Sequence, residues 1–556
     1  MSLIPRGVAY AVLPVAIVAT LATPVAAKDD LIIGFTQYPA TFHPNIDSMA
    51  AKTYVLNMVR RPLTAYDKDW VLRCQLCVEL PTMENGLAKP VPRPDGKQGV
   101  AMKFAIHPGA TWSDGTPVTT ADIAFTAEVG KHPKSGVASQ EFYNRLERVE
   151  IHDAKSFTFH VDKLTYQFND VSDFQLLPAH LERPVFMADP DNYRQRTLFD
   201  AEPTKPGLHF GPYRISEVVA GSHVVLTPNP TWYGDKPFFQ RITIRAIENT
   251  AALEANLLSG SIDYIAGELG LSLDQALAFQ KRHGARFDIS FKPGLVYEHI
   301  DLNLDNPALK DRRVRQALLY AIDRQAVSQQ LFEGKQPVAA SFVNPLDRVI
   351  ADDVPSYRLD PARAQALLDE AGFKPGADGI RVDANGVRLS LELGTTAGNR
   401  TREAVQQVLQ SQWRRVGVEI RIKNDPARIF FGEITRKRSF GGLAMYAWLS
   451  SPESSPRNQL HSQSIPTEAN NFAGQNYPGF KNPEMDKLID QLETELDFAK
   501  RKAIWARIQE IYATELPILP LYFRADPFIV PKWLVGVEAT GHQHYSSLRV
   551  EHWKSQ

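Results

Sequence analysis

Short strand-like and helix-like segments alternate along this chain, and that alternation restricts its possible folds more than any other feature. Between residues 242 and 247 apolar and polar residues alternate, as in a half-buried strand, and a helical stretch follows over residues 251–258. Gly260 supplies a helix stop, and residues 262–265 form a second short apolar strand. The order strand, helix, strand predicts an α/β fold in which helices flank mixed sheets.

After about Pro293 the pattern becomes more helical. Val314, Ala317, Leu318 and Ala321 have the spacing of one apolar helix face. Further helices are predicted at Asp360-Pro361, through Val405 to Trp413, at Asn482-Pro483 and through Ile504 to Ile511. Strands are predicted at residues 418–422 and 519–523. A chain of 556 residues should divide into more than one core.

The N-terminus has the composition of an export signal. Residues 1–27 contain a single positive charge, Arg6, then a mostly apolar run, and end in small residues. The run is too short, and too broken by Pro14, to span about 30 Å of hydrocarbon. No cysteine stands at the cleavage region, so we predict a free periplasmic protein without a lipid anchor.

Charge and cysteine content exclude several classes of protein. The chain has 62 basic and 63 acidic residues, a balance that argues against a nucleic-acid binder. In an oxidising compartment the only cysteines, Cys74 and Cys77, are predicted to form a local disulfide rather than a redox or zinc site. His542 and His544 have no third ligand nearby in sequence, so neither a metal site nor a cofactor is predicted.

Five motifs occur in order along the chain. They are TWSDGTPVTTADIAF at residues 111–125, GPY at 211–213, DRRVRQA at 311–317 leading to YAIDR at 320–324, DP at 360–361 leading to AGF at 371–373, and NPE at 482–484. Together they resemble the receptors of ATP-binding-cassette (ABC) transporters that include dipeptide-, oligopeptide- and nickel-binding proteins, known as extracellular solute-binding protein family 5.

This resemblance implies a periplasmic-binding-protein-like fold (type II, cluster C) with two hinged lobes and an extra domain. Domain I would combine residues 28–62, 208–292 and 520–556. Domain II, the extra domain, would be residues 63–207, and domain III residues 293–519. The ligand would lie enclosed between domains I and III.

The motif at residues 111–125 is expected to be structural. Trp112 and Phe125 are predicted in a core, and Thr119 with Asp122 has capping-box-like spacing at a helix start. The acidic pair Asp114 and Asp122 also suggests general acid–base catalysis, which leaves a secreted hydrolase as an alternative.

The resemblance also implies ligand contacts in the loop that starts at Trp448. In peptide-binding relatives an aspartate three residues after this tryptophan receives the ammonium group of the peptide. Here that position is Ser451, next to Ser450, and the first acid is Glu453. A buried cation without a carboxylate is costly, so the serine counts against this particular contact unless the loop shifts to bring Glu453 into place.

Five further residues are predicted to line the pocket. Arg436 lies near the position where some relatives bind a ligand carboxylate, and Asn471 lies where relatives supply polar groups. Tyr38 and Phe42, in the first loop, and Tyr522, on the last strand, are expected to close the other wall.

The sequence therefore predicts the periplasmic substrate-binding component of an ABC importer, not an enzyme. It would capture a peptide or peptide-like solute by hinge closure, as a monomer, and deliver it to the membrane permease. An opine, an oligosaccharide or a metal chelate remains open as the solute. A chaperone-like binder of unfolded chains is a further alternative.

Overall fold

The computed structural model describes residues 28–46, 49–94, 96–138, 141–426, 429–470 and 474–556. The predicted signal peptide, residues 1–27, lies outside this part of the chain. The strands are β1 (Asp30–Phe35), β2 (Thr64–Tyr66), β3 (Leu72–Cys74), β4 (Ala88–Pro92), β5 (Gln98–Ala105), β6 (Leu146–Ile151), β7 (Ser156–Val161), β8 (Tyr213–Val219), β9 (His223–Pro228), β10 (Arg241–Ala246), β11 (Tyr264–Ile265), β12 (Phe287–Leu302), β13 (Lys374–Pro375), β14 (Arg381–Val382), β15 (Ser390–Gly394), β16 (Glu419–Ile422), β17 (Gly442–Leu449), β18 (Ile518–Pro531), β19 (Leu534–Val535) and β20 (Lys554–Ser555). The α-helices are α1 (Ala50–Val59), α2 (Thr120–Lys131), α3 (Glu141–Arg145), α4 (Ala179–Ala188), α5 (Leu198–Ala201), α6 (Thr250–Ser259), α7 (Leu273–His283), α8 (Arg312–Tyr320), α9 (Arg324–Phe332), α10 (Pro361–Glu370), α11 (Arg400–Arg415), α12 (Arg457–Leu460), α13 (Pro483–Thr494) and α14 (Phe498–Glu515).

A ten-stranded mixed sheet runs through the molecule in the order β16-β15-β17-β12-β18-β11-β1-β10-β9-β8. We call β8, β9, β10, β1 and β11 the N-terminal half-sheet, and β16, β15 and β17 the central half-sheet. The antiparallel pair β12 and β18 joins the two halves, and these strands are 16 and 14 residues long. Two strands that cross between two lobes can serve as a hinge.

The register of this pair breaks in the middle. Residues 287–293 pair with residues 525–531, and pairing resumes at Tyr297 opposite Phe523. The sequence did not predict this strand, which continues past Pro293 to Leu302, before the predicted helical stretch that begins at Arg312. Pro293 is tolerated at the break because the strand loses its regular ladder there and needs no donor from proline.

Gly294 lies against the C-terminal segment at this same break. The N–H of Leu295 donates to the carbonyl of Gly541 at 2.8 Å. A Cβ on Gly294 would lie 2.7 Å from that carbonyl oxygen. Only glycine therefore permits this close approach without a shift of the backbone.

Two predicted helix starts, at Asp360 and Asn482, are confirmed, and Asn399 caps a third helix whose start was not predicted. The side chains of Asp360, Asn399 and Asn482 accept backbone N–H groups at the starts of α10, α11 and α13, and Pro361 and Pro483 occupy the first turn. Each such cap is worth about 1 kcal/mol. The predicted apolar stripe on α8 is confirmed, since Val314, Ala317 and Leu318 are buried.

A second sheet, in the order β4-β5-β7-β6, packs with α2. The predicted capping box of α2 is present: the Thr119 side chain accepts from the helix backbone, and the Asp122 carboxylate accepts the Thr119 N–H at 2.8 Å. Trp112 and Phe125 are fully buried, and the Trp112 indole donates to Asp122 at 3.2 Å. The motif at residues 111–125 therefore holds this sheet and helix together.

The predicted mixed α/β fold with two lobes is confirmed. The second sheet and the N-terminal half-sheet share one apolar core, while the central half-sheet packs around another. The boundaries predicted for domains I and III, at residues 292–293 and 519–520, fall inside β12 and β18, and this three-domain division stays a prediction. None of the helices in the described ranges has the length and apolar composition needed to cross a bilayer.

Candidate solute-binding cleft

A polar cavity of about 450 Å³ lies between the two half-sheets, and we call it cavity A. Because the loops after parallel strands gather at one sheet edge, residues far apart in sequence meet here. The N-terminal half contributes the loop after β1 and the starts of α6 and α7. The central half contributes the start of α11, and β18 contributes one face. Its lining includes Thr36, Gln37, Glu268, Gln336, Asn399, Arg402, Tyr522, Arg524 and Asp526.

A buried ion network forms the floor of cavity A. The Glu298 carboxylate, on β12, accepts from Arg402 Nε at 2.5 Å and from Arg524 Nε at 2.9 Å. Burial alone would raise the pKa of Glu298, but the guanidinium groups of Arg524 and Arg402 overcome this and hold it below its usual range. One carboxylate is thus shared by two permanent cations, and the network keeps an excess of positive charge.

Two carboxyl groups, those of Asp526 and Glu268, also line cavity A. Burial and then the neighbouring Glu268 raise the pKa of Asp526 to about 7, although Arg524 lowers it. Burial also raises the pKa of Glu268, whose carboxylate accepts the Ser546 N–H at 2.7 Å. Cavity A is therefore lined both by cationic groups and by acidic groups.

A smaller, largely apolar cavity of about 70 Å³, with five aromatic residues in its wall, lies beside the end of β17, and we call it cavity B. The predicted ligand residues Trp448, Ser450 and Ser451 all line it. The Trp448 ring stacks near Tyr477, with centroids 6.0 Å apart, and lies nearly parallel to His299 at 6.4 Å. Aromatic packing on both sides fixes the orientation of this half-buried tryptophan.

Glu453, the first acid after Ser451 in the sequence, also lines cavity B. Its carboxylate is paired with Arg348 and lies 3.5 Å from Arg501, and its backbone N–H donates to Asp347 at 2.9 Å. These contacts hold the loop with Glu453 turned into the protein. Ser451 is left at the wall of cavity B and of a neighbouring polar cavity of about 390 Å³.

The other predicted site residues are not all brought together. Tyr522 lines cavity A and packs on Phe332. Tyr38 and Phe42 contact each other edge to face and pack on the N-terminal core. Arg436 is exposed, close enough to Tyr477 to affect its pKa. Asn471 lies outside the described residues. These assignments therefore remain predictions.

The two cysteines and the two C-terminal histidines have structural surroundings. Cys74 and Cys77 are bonded to each other, with Cα atoms 5.2 Å apart. His542 packs on His544, and its Nε2 lies 2.8 Å from the carbonyl of Asp67. Burial lowers the pKa of His542 to about 3 and that of His544 to about 4, so both rings are neutral at pH 7.

The carboxylates that suggested a hydrolase are occupied in the structure. Asp122 caps α2 and also accepts the Ala179 N–H at 2.8 Å, and Asp114 accepts the Thr116 N–H at 2.9 Å and lies 3.0 Å from His180. Neither lines cavity A or cavity B. Among the described residues, no group of three or more His, Cys, Asp or Glu side chains is placed to hold a metal ion.

Sequence reasoning missed the charged residues of cavity A. Glu298, Arg402 and Arg524 are separated by more than a hundred residues along the chain and meet only in the folded sheet. One signal was available: Arg524 and Asp526 alternate with apolar residues on a strand that is otherwise buried. Charged residues at every second position of an otherwise apolar strand indicate that one face of the strand is not packed into the hydrophobic core.

Two lobes joined by a pair of crossing strands, with a polar cavity between them, define a solute receptor of the periplasmic-binding-protein type. Residues 82–471 match the family described as bacterial extracellular solute-binding proteins, family 5 Middle. The match covers well over half of the chain, and the protein belongs to this family.

Individual relatives agree with this assignment. The chain is 26% identical over 536 residues to the oligopeptide-binding protein AppA of Bacillus subtilis, covering 94% of this chain and 91% of that protein. It is similar in structure to the oligopeptide-binding protein of Thermus thermophilus complexed with a pentapeptide. That comparison has a TM-score of 0.73 and 32% identity, and covers 95% of this chain and 96% of the other. The nickel-complex-binding NikZ of Campylobacter jejuni, at 23% identity and a TM-score of 0.73 over 95% of this chain and all of the other, shares the fold.

Proposed function

We propose that this protein captures a peptide or peptide-like solute between its two lobes and delivers it to the permease of an ABC importer. Cavity A carries the proposal, because its walls come from both half-sheets and from the strands that join them. A solute bound there contacts both lobes and stabilises the closed form. A micromolar ligand supplies about 8 kcal/mol, enough to shift a hinge equilibrium of a few kcal/mol.

The end of β17, which reaches cavity B, offers a strand edge that suits a peptide backbone. Strand β15 pairs with β17 only over residues 442–444, and the Thr395 hydroxyl then donates to the Met445 carbonyl at 2.7 Å. The last residues of β17, up to the exposed Leu449, extend beyond this pairing. Ala447 lies opposite Glu298, which binds Arg402 and Arg524 of cavity A. A peptide that adds to this edge gains main-chain hydrogen bonds without depending on its side chains.

Family membership and the relatives support the remaining parts of the proposal. The family consists of extracellular solute-binding proteins, and a relative from Brucella ovis is described as a putative ABC transporter peptide-binding protein. We assign residues 1–27 to a cleaved signal peptide, leaving a monomeric periplasmic protein without a lipid anchor. The occupied Asp114 and Asp122 give a hydrolase no support, so we propose that the solute leaves chemically unaltered.

Thermal-shift titration with pools of two- to five-residue peptides tests this proposal. One or more pools should raise the unfolding temperature, with about 2.7 kcal/mol of stabilisation at a hundredfold excess over Kd. Mass spectrometry should recover the same peptides intact after denaturation. Stabilisation only by opines, oligosaccharides or metal chelates would contradict the peptide assignment, and shortened peptides would favour the hydrolase.

A further inference from the structure

We propose that cavity A is a two-charge subsite. Arg524 and the start of α11 bind a carboxylate of the solute, while Asp526 and Glu268 bind its ammonium group. The solute is therefore zwitterionic, with both groups unblocked. This inference rests on the proposed function and narrows the solute to compounds that present both charges at once.

The positive end is built from Arg524. Its Nε and Nη2 atoms contact the Glu298 carboxylate, at 2.9 and 2.6 Å, while its side chain is still 37% exposed and lines cavity A. Arg402 neutralises the rest of Glu298, so Arg524 retains charge for a ligand. The first residues of the 16-residue helix α11 line the same cavity, and a helix N-terminus favours anions.

Gln336 gives independent evidence that a hydrogen-bond donor is missing from cavity A. This residue is only 5% exposed and lines cavity A, yet its Oε1 atom has no hydrogen-bond partner within the described part of the chain. Buried amide oxygens are nearly always hydrogen-bonded, because an unpaired one costs about 1–3 kcal/mol. A donor on the solute, such as an ammonium group, would satisfy it once side chains adjust on closure.

The negative end lies on the same strand. Asp526 follows Arg524 by two residues, so both side chains are on one face of β18, and their Cα atoms are about 7 Å apart. No hydrogen-bond or ion-pair partner of the Asp526 carboxylate occurs among the described residues, although Lys292 lies opposite it in register. A cation between Asp526 and Glu268 relieves the repulsion of two neighbouring carboxylates. The spacing suits a zwitterion about as long as a dipeptide.

Three forms of one dipeptide pool test the assignment: unblocked, N-acetylated and C-amidated. Thermal-shift titration should show that blocking either end weakens binding to the wild-type protein by about tenfold or more. Arg524→Gln should lose the preference for a free carboxylate and keep that for a free amine. Asp526→Asn should do the opposite. Arg524→Lys, which keeps the charge, should retain part of the carboxylate preference.

Matched controls separate recognition from folding. Arg507→Gln and Asp235→Asn change exposed residues outside cavity A and should bind all three pools as the wild type does. A purely structural role for Arg524 or Asp526 predicts equal weakening for all pools, which would overturn the inference. Equal binding of blocked and unblocked pools would overturn it while the proposed function stands. Failure of all peptides of two to five residues to bind would overturn both.

Discussion

The two faces of β18 differ sharply in chemistry. Tyr522, Arg524 and Asp526 line the polar cavity A, whereas the Phe523 ring packs on Tyr297 with centroids 5.2 Å apart, on the side of cavity B. The volumes differ too, at about 450 and 70 Å³. Because side chains alternate along a strand, one short segment both packs into an aromatic cluster and presents charges to cavity A. In the function proposed above, the polar face recognises the solute and the aromatic face holds the strand in place.

The largest effect is expected from removing the charge at the floor of cavity A. Glu298→Gln should lower the free energy of unfolding by about 3–5 kcal/mol, because Arg402 is left buried without a counter-charge. Chemical denaturation at pH 7 measures this loss. Glu484→Gln removes the carboxylate of an exposed pair with Arg507 and should cost less than about 1 kcal/mol. Equal losses of unfolding free energy in the two variants would show that the ion network on the polar face of β18 contributes little to stability.

On the aromatic side, Trp448→Ala should affect binding more than folding. The ring is half-buried near the end of β17, the strand edge proposed to pair with the peptide backbone, so we expect a loss of about ten- to a hundredfold in peptide affinity. The matched control is Trp413→Ala, which removes a fully buried ring and should cost about 3–5 kcal/mol of stability. Unchanged peptide affinity in the Trp448 variant would remove this residue from the binding site.

The disulfide lies on neither face of β18, so its removal serves as a reference for a change that should leave peptide binding unaffected. Replacing Cys74 and Cys77 by serine opens a cross-link between residues three positions apart, which should cost about 2 kcal/mol of stability. Peptide affinity should stay within about twofold of the wild type. A large drop in peptide affinity in a variant that is still fully folded would show that the binding site extends beyond the two faces of β18.

The smallest effect is a pH dependence that belongs to the polar face. Because the folded pKa of Asp526 is about 7, above the usual carboxyl value of 3.8, folding favours its protonated form. Its ionisation therefore costs no stability below about pH 4, an increasing amount between about pH 4 and pH 7, and a constant amount above about pH 7. The surrounding charges are Glu268, Arg524 and Lys292.

Asp526→Asn should accordingly be more stable than the unliganded wild type by about 1 kcal/mol at pH 8, and equally stable near pH 4. Thermal melts of both proteins across this range measure the difference. If the stability gained by Asp526→Asn were the same at every pH, or largest in acid, the result would contradict a raised pKa at Asp526.

Local elements of this fold could be predicted from sequence, and the site only in part. Asp360-Pro361 and Asn482-Pro483 specify helix starts through contacts within one turn. The 16-residue β12 was missed because Pro293 indicates a strand end unless the register break is known. Trp448 could be located by resemblance, whereas the contact of Glu298 with Arg402 and Arg524 depends on the order of strands in the sheet. Long-range contacts of this kind leave no local pattern.

Closure of the two lobes around a solute can be measured as a distance. Spin labels at Ala255→Cys on α6 and Gln407→Cys on α11 sit on exposed positions of opposite lobes, and the native cysteines are bonded. Pulsed electron resonance should show a shorter and narrower distance distribution when unblocked peptide is added. The shift should be absent when Arg524→Gln and Asp526→Asn are combined. An unchanged distribution with peptide demonstrably bound would contradict interlobe capture.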